Sequence, residues 1–303
     1  MIVRPRPSAF GLLFILRGSI LPAIAPQLLA ILLLATAVAW ARHRAPGWFA
    51  DLTPAPFTLL GLALSIFLGF RNNACYERWW EARRQWGRLL SETRAFTRDM
   101  LSLMPQDGSL RRRLGLRAIA FAHALRSQLR GDGGGSAAAL VNAAEWDRIA
   151  MHAGRPDAIL CAQSDDLAAA LRRAEISDIL YRLFSDRLAA MTDVQAACER
   201  LRSTPTPFAY TLLLHRTAWL FCLLLPFGLV SSLGFATPIV TGILAYAFFG
   251  LDALGQELEE PFGLSPNAVP LDALVRSIEI AVLDALGDTE LPAPLLPQGY
   301  VLL

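Results

Sequence analysis

Apolar residues in this chain fall into blocks. Residues 20–40 carry no charge at all. Residues 208–230 are interrupted only by His215 and Arg216, and residues 238–254 only by Asp252. A run of about 20 apolar residues is the length that crosses a bilayer core. Each block therefore predicts a membrane span. A shorter block, residues 56–70 (PFTLLGLALSIFLGF), predicts a fourth. From residue 71 to 206 the pattern changes to apolar positions spaced among charges, as in amphipathic helices in water.

The predicted helices of that middle region cover residues 71–100, 111–130, 140–154 and 164–201. A turn at 105–109 and the GDGGGS loop at 131–136 separate them, and Thr204-Pro205-Thr206-Pro207 breaks the chain before the membrane resumes. The glycine-rich loop is no phosphate cradle, because it follows a helix and lacks the Lys-Ser/Thr such loops need. At the N-terminus Arg4 and Arg6 precede an apolar stretch, but no small-x-small cleavage site follows and Arg17 leads into the next run. Residues 8–16 read as an interfacial helix with Phe10 and Phe14 against lipid. Pro46, Trp48 and Phe49 read as an interfacial anchor after the first span. A last polar helix is expected at 271–287. The organisation is then an N-terminal segment 1–19, two spans in 20–70, a cytosolic helical domain 71–207, two spans in 208–254 and a cytosolic tail 255–303.

Composition agrees. The chain is 54% hydrophobic and 18% charged, below the quarter usual for soluble domains. A net charge of +2 gives no basis for nucleic-acid binding. All the strong bases are arginine. Cys75, Cys161, Cys198 and Cys222 form no CxxC pair and have no zinc-ligand spacing, so they read as reduced, with no metal and no cofactor expected. The arginine-rich middle and both termini belong on the cytoplasmic side, with the uncharged SSLGFATP link outside; Arg42 and Arg44 argue weakly the other way.

The 56–70 block is the informative one. At 1.5 Å per residue it reaches only about 22 Å, short of the roughly 30 Å of hydrocarbon. Extending it back to Asp51 admits a charge, and Arg71, Asn72 and Asn73 follow it at once. Polar groups at that depth are tolerated where protein or water surrounds them. Leu62, Ile66 and Phe70 stand four apart in one row that continues to Asn73 and Glu77. Gly61, Ala63, Ser65 and Gly69 lie elsewhere on the helix, and small residues let membrane helices approach. Such a row is either packing against the other spans or a narrow apolar neck that gates by excluding water. One such helix cannot enclose a pore, so a neck requires a symmetric ring of subunits.

The residues LGLALSIFLGFRNNACYERWWEARRQWG at 60–87 resemble the bestrophin family in its bacterial branch. MIVRPRP, GSILP, ISDILYR at 176–182, LPFGLV and FFGLDALGQELEEPFG extend the resemblance over nearly the whole chain. It implies an all-α membrane protein with four transmembrane helices and a helical cytosolic domain per subunit. Five subunits would surround a single axial pore in the bacterial inner membrane, with both termini cytoplasmic. It implies a neck at Leu62, Ile66 and Phe70, a second cytosolic constriction in ISDILYR, placed at Leu180, and polar lining below the neck at Asn73 and Glu77. Animal members conduct chloride under calcium control, and bacterial members resemble sodium-conducting channels.

Where animal members carry a dense acidic run after PFG, this chain has LSPNAVPLDAL with Asp272 alone, so no calcium clasp is expected. Leu62 and Ile66 lack the electropositive aromatic rim that favours anions. Passive conduction of monovalent cations is therefore expected, with an anion channel of the same architecture as the alternative. A secondary transporter would need internal repeats, which the two span pairs do not show; a membrane scaffold would need no neck. The chain carries no catalytic constellation. The Arg78-Trp79-Trp80-Glu81 cluster with Arg83 and Arg84 reads as structural support, including a Glu81–Arg84 pair. His215 and Arg216 read as interfacial, and Asp165-Asp166 and Asp284 to Asp288 as helix-end or surface acids.

Overall fold

The computed structural model describes residues 1–5, 8–16, 18–48, 53–105, 108–133 and 135–303. Arg6, Arg17, Phe49 and Asp51, each invoked above, lie outside the described residues, as do 106 and 107 of the expected turn and Gly134 of the glycine loop. Among the described residues the chain is helical, with strand-like pairing limited to isolated bridges such as Ile2 with Val301.

In chain order the helices are α1 (Ala9–Leu13), α2 (Leu21–Arg44), α3 (Ala55–Leu103), α4 (Gly108–Arg130), α5 (Gly135–Ala138) and α6 (Ala143–Ala150). They continue with α7 (Arg155–Arg172), α8 (Asp178–Ser203), α9 (Phe208–Leu233), α10 (Thr237–Glu259) and α11 (Leu271–Ala285). All four apolar blocks are helical. The principal departure from expectation is α3. The 56–70 block does not end at Arg71 but is the first third of a single 49-residue helix. Its length anomaly disappears, because the helix simply continues through the polar residues.

Two compact units are formed. One comprises residues 4–79 and 205–261, the other 1–3, 80–204 and 262–303. In the first, α2, α9, α10 and the start of α3 share an apolar core. It contains Ile24 and Ile31 of α2, Leu64 and Leu68 of α3, Phe221 and Leu225 of α9, and Phe248 and Phe249 of α10. α2 ends on Arg42, His43 and Arg44, cations that complement the negative end of its helix dipole. Helices come close where side chains are missing. A Cβ on Gly61 would lie 3.1 Å from the Phe221 ring, and one on Gly228 would overlap the Phe57 ring at 2.3 Å. Gly234, at φ +51°, makes the tight turn from α9 to α10 in a conformation that favours glycine. Phe10 and Phe14 at α1 are exposed, as an interfacial helix requires.

The second unit packs α4 against α7, α8 and α11. Leu114, Ile119, Phe121 and Leu125 of α4 are buried. Gly115 permits the approach of α11, since a Cβ there would lie 2.9 Å from Leu286. Charge pairs surround this core. Arg117 binds Glu145 at 2.6 Å and Asp166 at 2.7 Å, and Arg113 also reaches Asp166 at 2.6 Å. Asp166, expected as a helix-end or surface acid, is partly exposed and also ties α7 to α4. Glu81 and Arg84 pair at 2.6 Å, one helical turn apart, as their spacing predicts.

Candidate functional site

The first turns of α3 carry two opposed faces. Leu64, Leu68, Arg71 and Cys75 are buried. At about 100° per residue, the row of Leu62, Ile66, Phe70, Asn73 and Glu77 falls on the other side of the helix. All five are exposed, with Leu62 at 59%, Ile66 at 48% and Phe70 at 63% in the single chain. The row is thus not packing within its own subunit. Ser65 and Gly69, beside the row, are exposed as well, and a Cβ on Gly69 would meet nothing within 4 Å.

Behind the row, Tyr210 of α9 donates to the Phe67 carbonyl at 3.1 Å. Below it stands a buried ionic network that the sequence did not disclose. The Arg71 guanidinium is fully enclosed. Its Nη1 donates to Asp252 Oδ1 at 2.6 Å, and its Nη2 lies 3.6 Å from Glu259. The other Asp252 oxygen lies 2.7 Å from His215 Nδ1 and 3.5 Å from Gln256 Nε2. Glu259 also accepts from the Thr206 hydroxyl. His215 is thus more than interfacial: it is a partner of Asp252. Only the recurrence of Asp252, Gln256 and Glu259 along one face of α10 hinted at this, and it names no partner on α3. The Arg71 Nε and the Asn72 amide are buried with no hydrogen-bond partner among the described residues.

In the other unit, α8 begins at Ser177, whose Oγ accepts from the Leu180 N–H at 3.3 Å. The cap sets the first turn. Leu180 is half-buried, whereas Ile179 beside it is 76% exposed.

The cysteines carry no chemistry here. Cys75, Cys198 and Cys222 are buried and Cys161 is exposed, all as free thiols. Burial, reinforced by Glu199 and Glu81, pushes the Cys198 thiol up to about 12, which keeps it protonated and inert. Among the described residues no cluster of three or more His, Cys, Asp or Glu is placed to hold a metal.

Residues 1–284 match the family model described as bacterial/fungal bestrophin protein. The chain is 47% identical over 302 residues to the voltage-dependent anion channel-forming protein mll4386 of Mesorhizobium japonicum, covering 98% of this chain and 95% of that one. It is 40% identical over 305 residues to the voltage-dependent anion channel-forming protein YneE of Escherichia coli K12, covering 99% of each. The crystal structure of a bacterial bestrophin homolog from Klebsiella pneumoniae superposes with a TM-score of 0.85 at 36% identity, over 88% of this chain and all of that one. With its all-helical fold and apolar spans, the chain belongs to the bacterial and fungal bestrophin family and is a membrane ion channel, not an enzyme.

Proposed function

We propose that this channel conducts ions passively through a neck formed by Leu62, Ile66 and Phe70 in a ring of five identical subunits of the bacterial inner membrane. The observation that carries the reading is the exposed row on α3, opposite the buried face that anchors the helix in its own subunit. An apolar row left bare by its subunit has lipid, a neighbour or a pore to face. Its continuation into exposed Asn73 and Glu77 favours water over lipid. Exposed Ser65 and Gly69 leave room for a neighbouring helix. Ile179 at the start of α8 is the better candidate for a second, cytosolic constriction. The arginine-rich helical unit and both termini are cytoplasmic in this reading.

The sign of the ion has two unequal supports. Relatives at 47% and 40% identity carry the name anion channel-forming protein, and this favours an anion. The cation expectation finds no support in those names. It keeps one observation, that Glu77 is exposed on the side of the row and Leu62 and Ile66 offer no aromatic rim.

Purified protein in liposomes tests both points. Ile66→Ala or Leu62→Ala is expected to raise ion flux by about tenfold, since a wider neck is easier to wet. Unchanged flux in properly assembled variants would remove the neck. A reversal potential near that of chloride under a KCl gradient supports the anion reading; one near that of potassium supports the cation.

A further inference from the structure

Arg71 directly follows Phe70, yet about 100° further round α3 its side chain joins the buried face and is completely enclosed. One face of α10 is built around it. Asp252, Gly255, Gln256 and Glu259 recur there at helical spacing. Asp252 takes the Arg71 Nη1 at 2.6 Å and is held on its other oxygen by His215 of α9 at 2.7 Å. Gly255 supplies the space. A Cβ there would lie 2.6 Å from Asn72 Oδ1 and 3.3 Å from Arg71 Cζ. The surface of α10 is therefore shaped for Arg71 as well as charged for it.

The rest of the buried face does different work. Leu64 and Leu68 hold α3 by apolar contact, and the hydrophobic effect is non-directional. A charge-assisted hydrogen bond from a guanidinium is short and geometrically selective. At this level of α3, the Arg71–Asp252 bond, at 2.6 Å, is the shortest of the directional contacts that resist rotation of the helix, beside Tyr210 on the Phe67 carbonyl and Arg78 on the Glu259 carbonyl. We infer that Asp252, set in place by His215, is a positioning residue for the neck: by fixing Arg71 it fixes the rotation of α3 that aims Leu62, Ile66 and Phe70. The inference rests on the neck reading above. A rotation by one residue, about 100°, would carry Ile66 off the axis and bring Ser65 toward it.

Cysteine scanning measures that rotation directly. In a Cys161→Ser background, which removes the exposed native thiol, Ile66→Cys and Ser65→Cys are each reconstituted as full-length protein. Block of flux by a charged, water-soluble thiol reagent is then timed. Access governs thiol reaction, so Ile66→Cys is expected to react about tenfold faster than Ser65→Cys. Adding Asp252→Asn, or Gly255→Ala with every charge retained, is expected to bring the two rates within about threefold, while Asp252→Glu preserves the contrast. If neither variant changes the ratio in intact oligomers, the positioning role is overturned and the neck stands. If Ile66→Cys is not blocked in the parent, the neck reading falls first. Should Asp252→Asn fail to assemble, Gly255→Ala decides. Loss of assembly in both marks the network as structural only and overturns the inference.

Discussion

Arg71 and Arg187 each hold two carboxylates, in opposite surroundings. Arg71 reaches Asp252 at 2.6 Å and Glu259 at 3.6 Å from inside the apolar unit, with its side chain 0% exposed. Arg187 of α8 reaches Glu92 and Asp99 of α3 at 3.1 Å each, with its side chain 30% exposed. The partner chemistry is the same, but the alternatives differ. When Arg187 loses a partner, water replaces it. When Arg71 loses one, water has no direct access, because its side chain is 0% exposed. Pairing is optional for Arg187 and obligatory for Arg71. A charge kept under such conditions contributes geometry more than stability, since burying both members of an ion pair costs nearly what their attraction returns.

That contrast breaks most sharply on single removals. Asp252→Leu is expected to destabilise the assembled protein by about 3–5 kcal/mol, because it leaves the buried guanidinium with only Glu259, 3.6 Å away. Arg71→Leu combined with Asp252→Leu should recover part of that loss, since it removes the buried cation, while Glu259 and His215 each lose a partner. Unfolding of purified oligomers in detergent measures both. A double variant no better than the single would mean that burial of an unpaired charge is not the cause. Against this, Arg187→Ala is expected to cost only about 0.5–1 kcal/mol, the range of partly exposed pairs screened by solvent. A loss there as large as that of Asp252→Leu would erase the distinction between the two arginines.

The two regions were also unequally legible in sequence. The spans could be read because lipid demands long apolar runs, and all four blocks proved helical. The row of Leu62, Ile66 and Phe70 followed from spacing alone. What could not be read was anything that joins distant segments. Arg71 and Asp252 are 181 residues apart, and periodicity carries no information about such a pair. Without it, Arg71 reads only as the polar residue that closes a short apolar block. Asp166, read as a surface acid, is taken up by Arg113 and Arg117 for the same reason. At the start of α8 one residue of helical phase separates half-buried Leu180 from exposed Ile179, and spacing alone does not fix that phase.

The mildest test lies among the charges of the second unit, where acid titrates pairs that water can replace. Asp272 is partly buried, which pushes its carboxyl up, but hydrogen bonds from Arg126 at 2.7 Å and Arg130 at 2.6 Å outweigh this and hold it below the ordinary carboxylate range. Asp288, about as exposed as Asp272, is also lowered, by the Arg112 guanidinium at 2.7 and 3.1 Å. A carboxyl whose folded value lies below its unfolded value adds stability above the unfolded value, near pH 4, and loses it as pH falls through the folded one. Stability of the protein should therefore fall below about pH 4, and Asp272→Asn should flatten that fall more than Asp288→Asn. Thermal unfolding from pH 6 down to pH 3 measures the two slopes. Equal flattening would mean that the two arginines around Asp272 add no more than the one beside Asp288. The enclosure of a charge would then matter only where, as at Arg71, no water can reach it.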